Sequence, residues 1–183
     1  MPFFKTEIDE LLVFEPQVFE DERGYFFESY NSRLFSDNKI GIHFIQDNQA
    51  RSNYGVIRGL HYQLAPYAQT KLIRVLSGSI IDVAVDIRMG SATYGKAYTI
   101  LLSAENKKQL LVPKGFAHGY SVIIYNAEVF YKCDTYYNKE SEGGIAWNDP
   151  ALNIDWQLPI EAIKVSEKDQ HYPVLELCKN NFD

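Results

Sequence analysis

Runs of basic residues are missing from this chain of 183 residues. Lysine and arginine number 18 against 24 acids, a formal charge of −6. Without a basic stripe, a duplex nucleic acid is not an expected partner. Cysteine is almost absent: Cys133 and Cys178 are the only two. Two cysteines make no disulfide framework, and no spacing here suits a zinc site. No apolar run approaches a membrane span. Residues Met1–Glu10 contain acids and lack an apolar core, so they do not read as a signal peptide. A reducing cytoplasm is the expected location. Repeats, low-complexity tracts and linkers are also missing, and the length suits one domain over residues 1–183.

Aromatic residues are plentiful, at 14% with 13 Tyr and 11 Phe. This favours strands and supplies flat faces on which a base or sugar can stack. Alternation is clearest in Ile80–Ile87. There Ile81, Val83, Val85 and Ile87 share one face, with Asp82 and Asp86 on the other. Similar readings predict strands over Leu11–Phe14, Gly24–Tyr30, Phe44–Arg51, Val56–Gln63, Lys71–Leu76, Ala97–Leu102, Gln109–Val112 and Glu128–Cys133. Turn signals lie between them at Asn53-Tyr54-Gly55, Ser77-Gly78-Ser79, Met89-Gly90-Ser91 and Pro113-Lys114-Gly115. One early helix is expected over Ser32–Asn38, and short helices in the tail Leu158–Leu177. Many short, evenly spaced strands predict an all-β sandwich or barrel.

Two segments carry the candidate chemistry: Arg58-Gly59-Leu60-His61-Tyr62-Gln63 and Pro113-Lys114-Gly115-Phe116-Ala117-His118-Gly119. They look like the halves of a cupin site whose metal ligands have been replaced. Gln63 stands where a second histidine is usual, the ligand glutamate is missing, and Lys71 lies in that region. Two histidines around a cation would repel a divalent metal and suit an anion. A lone strand histidine is more often a satisfied core residue. Arg58, His61 and Gln63 together are more polar than a dry core tolerates. Arg23, Arg51, Arg58, Lys71 and Arg74 are candidates for a local basic cluster. Lys71 could face a developing oxyanion, and Tyr131 could act as a general acid. Asp169, in Ser166-Glu167-Lys168-Asp169, reads locally as a helix start.

Longer motifs place the chain beside a known family. Phe14-Glu15-Pro16, Asp21-Glu22-Arg23-Gly24, Gln46-Asp47-Asn48, the Arg58–Gln63 segment, Val85-Asp86-Ile87-Arg88, Pro113–Gly119, Tyr131-Lys132, Trp147-Asn148-Asp149 and Ser166–Asp169 occur in order. In this the chain resembles the dTDP-4-dehydrorhamnose 3,5-epimerases of dTDP-L-rhamnose synthesis. The resemblance implies a cupin-like jelly-roll barrel with a few short peripheral helices, working as a homodimer without metal or other cofactor. It implies His61 as general base oriented by Asp169, Tyr131 as general acid and Lys71 as the cation at the C4 enolate. Arg23 and Arg58 would hold the diphosphate. Phe26, Glu28, Gln46 and Asn48 would contact the nucleotide, some of them from the partner subunit, and His118 would lie near the substrate. Tyr137 is a second candidate for the acid. Competing readings are a C3-only or C5-only epimerase of a related nucleotide-linked 4-keto sugar, a metal-dependent cupin oxygenase, and a non-catalytic sugar-binding barrel.

Overall fold

The computed structural model describes residues 2–182. Two antiparallel sheets face each other. The first has six strands in the order β1 (Phe3–Lys5), β2 (Leu12–Phe14), β10 (Gln109–Val112), β7 (Lys71–Ser77), β12 (Asn126–Cys133), β5 (Gln46–Asn53). The second has five, in the order β13 (Glu142–Gly144), β6 (Ile57–Gln63), β11 (Phe116–Val122), β8 (Ser79–Asp86), β9 (Ala97–Ser103). A separate hairpin joins β3 (Phe19–Asp21) to β4 (Gly24–Phe26). The expected jelly-roll architecture is therefore present, as a flattened barrel whose two sheets are not closed by hydrogen bonds.

Alternation along the strands builds three layers of apolar packing. Between the sheets lie Val13, Ile73, Val75, Ile80, Ala84, Leu110, Phe116, Tyr120, Val122 and Val129. The outer face of the five-stranded sheet carries Ile57, Leu60, Ile81, Val83 and Val85. It is covered by Ile145, Leu152, Trp156 and Leu175 from the tail. On the outer face of the six-stranded sheet, Leu72 and Leu111 pack under Phe14 and Phe35. Phe35 belongs to helix α1 (Ser32–Asp37), whose start is capped by the Asn31 side chain accepting from the Arg33 and Leu34 N–H groups. Truncating a wholly buried residue such as Ile73 should cost about 2–5 kcal/mol.

Several expectations need adjustment. The predicted strand Gly24–Tyr30 ends at Phe26 and pairs only with Phe19–Asp21. Strands β1, β3 and β13, each of three residues, were not foreseen. The tail does hold short helical turns, at Ile160–Ala162, Asp169–His171 and Leu175–Leu177. Asp82 and Asp86 do lie opposite Val83 and Val85, but both are fully buried. A sheet covered on both sides has no solvent face.

Candidate active site

One end of the space between the sheets is polar. On β7 and β12 the inward positions run from Val75 and Val129 through Ile73 and Tyr131 to Lys71 and Cys133. On β5, Asn48 lies opposite Tyr131 and Gln46 opposite Cys133. Core thus gives way to Lys71, Tyr131, Asn48 and Gln46 as the strands reach the rim. From the facing sheet come His61 and Gln63 on β6, with Gly144 and Glu142 on β13 opposite them. Together with Tyr62, Gln69 and Tyr137 these side chains line a cavity of about 330 Å³.

His61 is oriented by a carboxylate. Its Nε2 lies 2.7 Å from Asp169 Oδ1, a residue 108 positions away. Asp169 is buried, and its Oδ2 accepts from the Gly59 N–H at 3.3 Å. Burial alone would raise this carboxyl. The hydrogen bond and charge of His61, together with Gly59 and Ser166, outweigh burial and hold it below its ordinary value. An ionised carboxylate only accepts, so Nε2 carries the hydrogen, and Nδ1 is the nitrogen that faces away from the pair. The Tyr172 ring stands edge-on to His61, with centroids 5.7 Å apart. A side chain at Gly144 would collide with that ring, its Cβ falling 2.5 Å away. The local reading of Asp169 as a helix start is half right. It opens a three-residue 3-10 turn, but Ser166 Oγ accepts its N–H, and its own carboxylate serves His61.

Lys71 enters the cavity without an ion-pair partner among the described residues. Burial lowers its pKa, and Cys133, Asp82 and Glu142 act in the opposite direction. Those two carboxylates are bonded elsewhere, Asp82 to His118 and Glu142 to Lys168. Burial also pushes the Tyr131 phenol up to about 12, with Cys133 and Tyr120 adding to it. Such a phenol stays protonated at neutral pH and so has a proton to give. Tyr137 is more exposed, and its hydroxyl donates to Glu142 Oε2 at 2.9 Å. Gln63 is fully committed: its amide donates to the carbonyls of Tyr67 and Tyr136 and accepts from the Asn138 N–H.

The other expected residues divide into two groups. Arg58 donates to Ser52 Oγ at 2.8 Å and lines a groove with His61, Lys164, Lys168 and Asp169. His118 sits directly across from His61 on β11 and bonds Asp82. Arg23 and Phe26, by contrast, belong to the β3–β4 hairpin, line a different depression and are exposed. Glu28 accepts from Asn31 and lines a third. The proposed basic cluster also disperses. Arg51 and Arg74 alternate with inward residues and so point outward, Arg74 lying over the Phe27 and Phe130 rings. Sequence reasoning missed Glu142, Lys168 and Tyr172 at the rim. The Gly143-Gly144 pair was their one local signal, because both glycines make room for tyrosine rings.

Comparison with known proteins agrees with this geometry. The family model for dTDP-4-dehydrorhamnose 3,5-epimerase matches residues 5–176. The dTDP-4-dehydrorhamnose 3,5-epimerase of Shigella flexneri is 51% identical over 171 residues, covering 92% of this chain and 93% of that protein. The crystal structure of a dTDP-6-deoxy-D-glucose-3,5-epimerase from Legionella pneumophila Philadelphia 1, in complex with dTDP-4-keto-L-rhamnose, superposes with a TM-score of 0.92. It is 47% identical and covers 96% of this chain and 93% of its own. A 3'-monoepimerase from Streptomyces bikiniensis, in complex with dTDP-quinovose, is similar in fold at a TM-score of 0.85. It is 28% identical, over 93% of this chain and 86% of its own.

Proposed function

The chain belongs to the dTDP-4-dehydrorhamnose 3,5-epimerase family, and we propose that it inverts C3 and C5 of dTDP-4-keto-6-deoxy-D-glucose to give dTDP-4-keto-L-rhamnose. The observation that carries this reading is the His61–Asp169 pair at 2.7 Å, in a cavity shared with Lys71 and Tyr131. A hydrogen alpha to a ketone is acidic only when the enolate is stabilised. His61 Nδ1 takes the proton from C5 or C3, and the bonding pair moves to the C4 oxygen. The Lys71 ammonium, which has no ion-pair partner among the described residues, neutralises that oxygen in a site partly shielded from water. Asp169 holds the imidazole in place and stabilises its protonated form. Tyr131 returns a proton to the carbon from the opposite face, and the configuration inverts. Both carbons flank C4, so one base and one acid serve each in turn. Only protons move, which calls for no metal or redox cofactor.

The nucleotide half of the substrate needs more than one chain provides. Gln46, Asn48 and Arg58 surround the His61 end of the barrel, but Arg23, Phe26 and Glu28 line other depressions. A homodimer in which a second copy brings its hairpin to the cavity mouth supplies the missing contacts. The exposed Phe19, Tyr25 and Phe26 suit such a role. Activity in a reducing cytoplasm agrees with Cys133 and Cys178 being free thiols.

A 3'-monoepimerase shares the fold, so the number of inverted centres is the point to measure. The protein is incubated with dTDP-4-keto-6-deoxy-D-glucose in deuterated water and followed by NMR. Deuterium at both C3 and C5 with L-rhamno product is the expected result. Exchange at C3 alone would make the chain a monoepimerase.

A further inference from the structure

Strand β8 carries two buried aspartates, Asp82 and Asp86, on the same face and four residues apart. The remaining interior positions of that strand, Ile80 to Val85, are apolar. Each aspartate is completely buried, yet their surroundings differ. Asp86 is saturated: Oδ1 accepts from the Arg88 N–H and Nε, and Oδ2 from Arg88 Nη2, Ser91 Oγ and Thr93 Oγ1. That is a structural anchor for the loop after β8. Asp82 has one partner. Its Oδ1 lies 2.8 Å from His118 Nε2, and its Oδ2 has none among the described residues. Beside it on β11, in register, the buried Tyr120 hydroxyl is also unpartnered. A buried carboxylate with a single bond is a poor contributor to stability. Its presence between the apolar Ile80 and Ala84 on the inner face of β8 points to its one partner.

That partner stands beside the base. His118 and His61 are a direct cross-strand pair of β11 and β6, so their side chains leave the sheet on the same face. Each gives its Nε2 to a carboxylate, at 2.8 Å for His118 and 2.7 Å for His61. No hydrogen bond among the described residues engages Nδ1 of either ring. We propose that Asp82 is a positioning residue for the epimerisation. By holding Nε2–H of His118 it fixes the tautomer and rotation of that ring, and turns Nδ1 toward the hexose held against His61. The proposal rests on the reading of the cavity as the site of ketone chemistry. It assigns to the barrel two His–carboxylate pairs of the same connectivity, one moving protons and the other setting the sugar in place.

Asp82→Asn tests it, because an amide can meet Nε2 with either its oxygen or its nitrogen and so releases the tautomer. The first readout is the ¹⁵N spectrum of the His118 ring, which involves no substrate. A protonated Nε2 in the wild-type protein, altered in Asp82→Asn, is expected. A bare Nε2, or a spectrum indifferent to the substitution, overturns the proposal. The second readout is kinetic. A fall in kcat of about 10- to 100-fold is expected, the range for losing a histidine's supporting partner. Binding of dTDP, which lacks the hexose that the proposal sets against His118, should stay within about twofold. A merely structural Asp82 would instead leave kcat per folded molecule unchanged and lower the melting temperature, which also overturns the proposal. Should Asp82→Asn fail to fold, the wild-type tautomer alone decides. Failure of the wild-type protein to exchange deuterium would refute the epimerase reading and leave the tautomer result standing, so the two are separable.

Discussion

His61 and Asp169 meet at 2.7 Å through the His61 Nε2. Asp169 reaches that position on a short turn packed against β6, with the Gly59 N–H bound to its second oxygen. The same aspartate therefore orients the imidazole and ties down the strand that carries it.

Replacing His61 with Asn should remove the base while leaving the packing intact, because the ring is partly exposed at the cavity wall. Turnover should fall by about 10²–10⁴-fold or more, with an unchanged circular dichroism spectrum. Wild-type deuterium exchange at both carbons in this variant would show that another group takes the proton.

Tyr131→Phe should separate the two halves of the reaction. The substitution deletes one oxygen from a strand whose packing is otherwise kept. Proton abstraction by His61 does not use that oxygen, whereas delivery from the opposite face does. The variant should wash deuterium into the substrate and form little inverted product. Normal inversion by Tyr131→Phe, together with its loss in Tyr137→Phe, would move the acid role to Tyr137.

Chelation by EDTA should leave activity unchanged. Gln63 spends its amide on three backbone groups, and Lys71 occupies the cavity with its charge. Neither leaves a donor set that a divalent ion would choose. Activity lost on EDTA treatment and restored by a single metal would refute the metal-free mechanism.

A shared site can be tested by mixing variants. His61→Asn and Arg23→Ala homodimers should each be weak. After random exchange of subunits, half of the dimers are hybrids, and each hybrid holds one intact site if the hairpin serves the partner. Activity should recover to about a quarter of wild type. Self-contained sites would recover nothing.

Acid should loosen the fold in part through Asp86. Burial would raise this carboxyl, but Arg88, Ser91 and Thr93 together hold it at about 2, against 3.8 in an unfolded chain. The folded value is the lower one, so the stabilisation is present above pH 4 and is lost as pH falls toward 2. Its size is about 2 kcal/mol. Urea melts between pH 7 and 2 should show Asp86→Asn less stable at neutral pH and flatter on the acid side. Parallel curves for the two proteins would count against this assignment.

Much of this was legible in the chain. Alternation marked most of the long strands, because a strand in a two-sided core must place apolar side chains at every second position. His61, Lys71 and Tyr131 each stand in short motifs whose local chemistry is unusual for a core. Three of the three-residue strands, Phe3–Lys5, Phe19–Asp21 and Glu142–Gly144, were not legible. Phe3–Lys5 and Glu142–Gly144 are too short to show a period and are strands only because a neighbour pairs with them.

Sequence by itself determined the sandwich, the Gly-marked histidine strands and the set of groups able to move a proton or hold a negative charge. Tertiary structure alone decided which of them meet. Asp169 looks like a helix start until the tail folds back over 108 residues onto β6. Asp82 and Asp86 look alike in Ile80–Ile87, yet one is sealed by a loop and the other is left with a single imidazole. Arg23 and Phe26 match the motifs of a binding site but lie away from the cavity. The physical reason is common to all three. Alternation depends on neighbours along the chain, whereas the surroundings of a side chain depend on which distant segments the fold brings beside it.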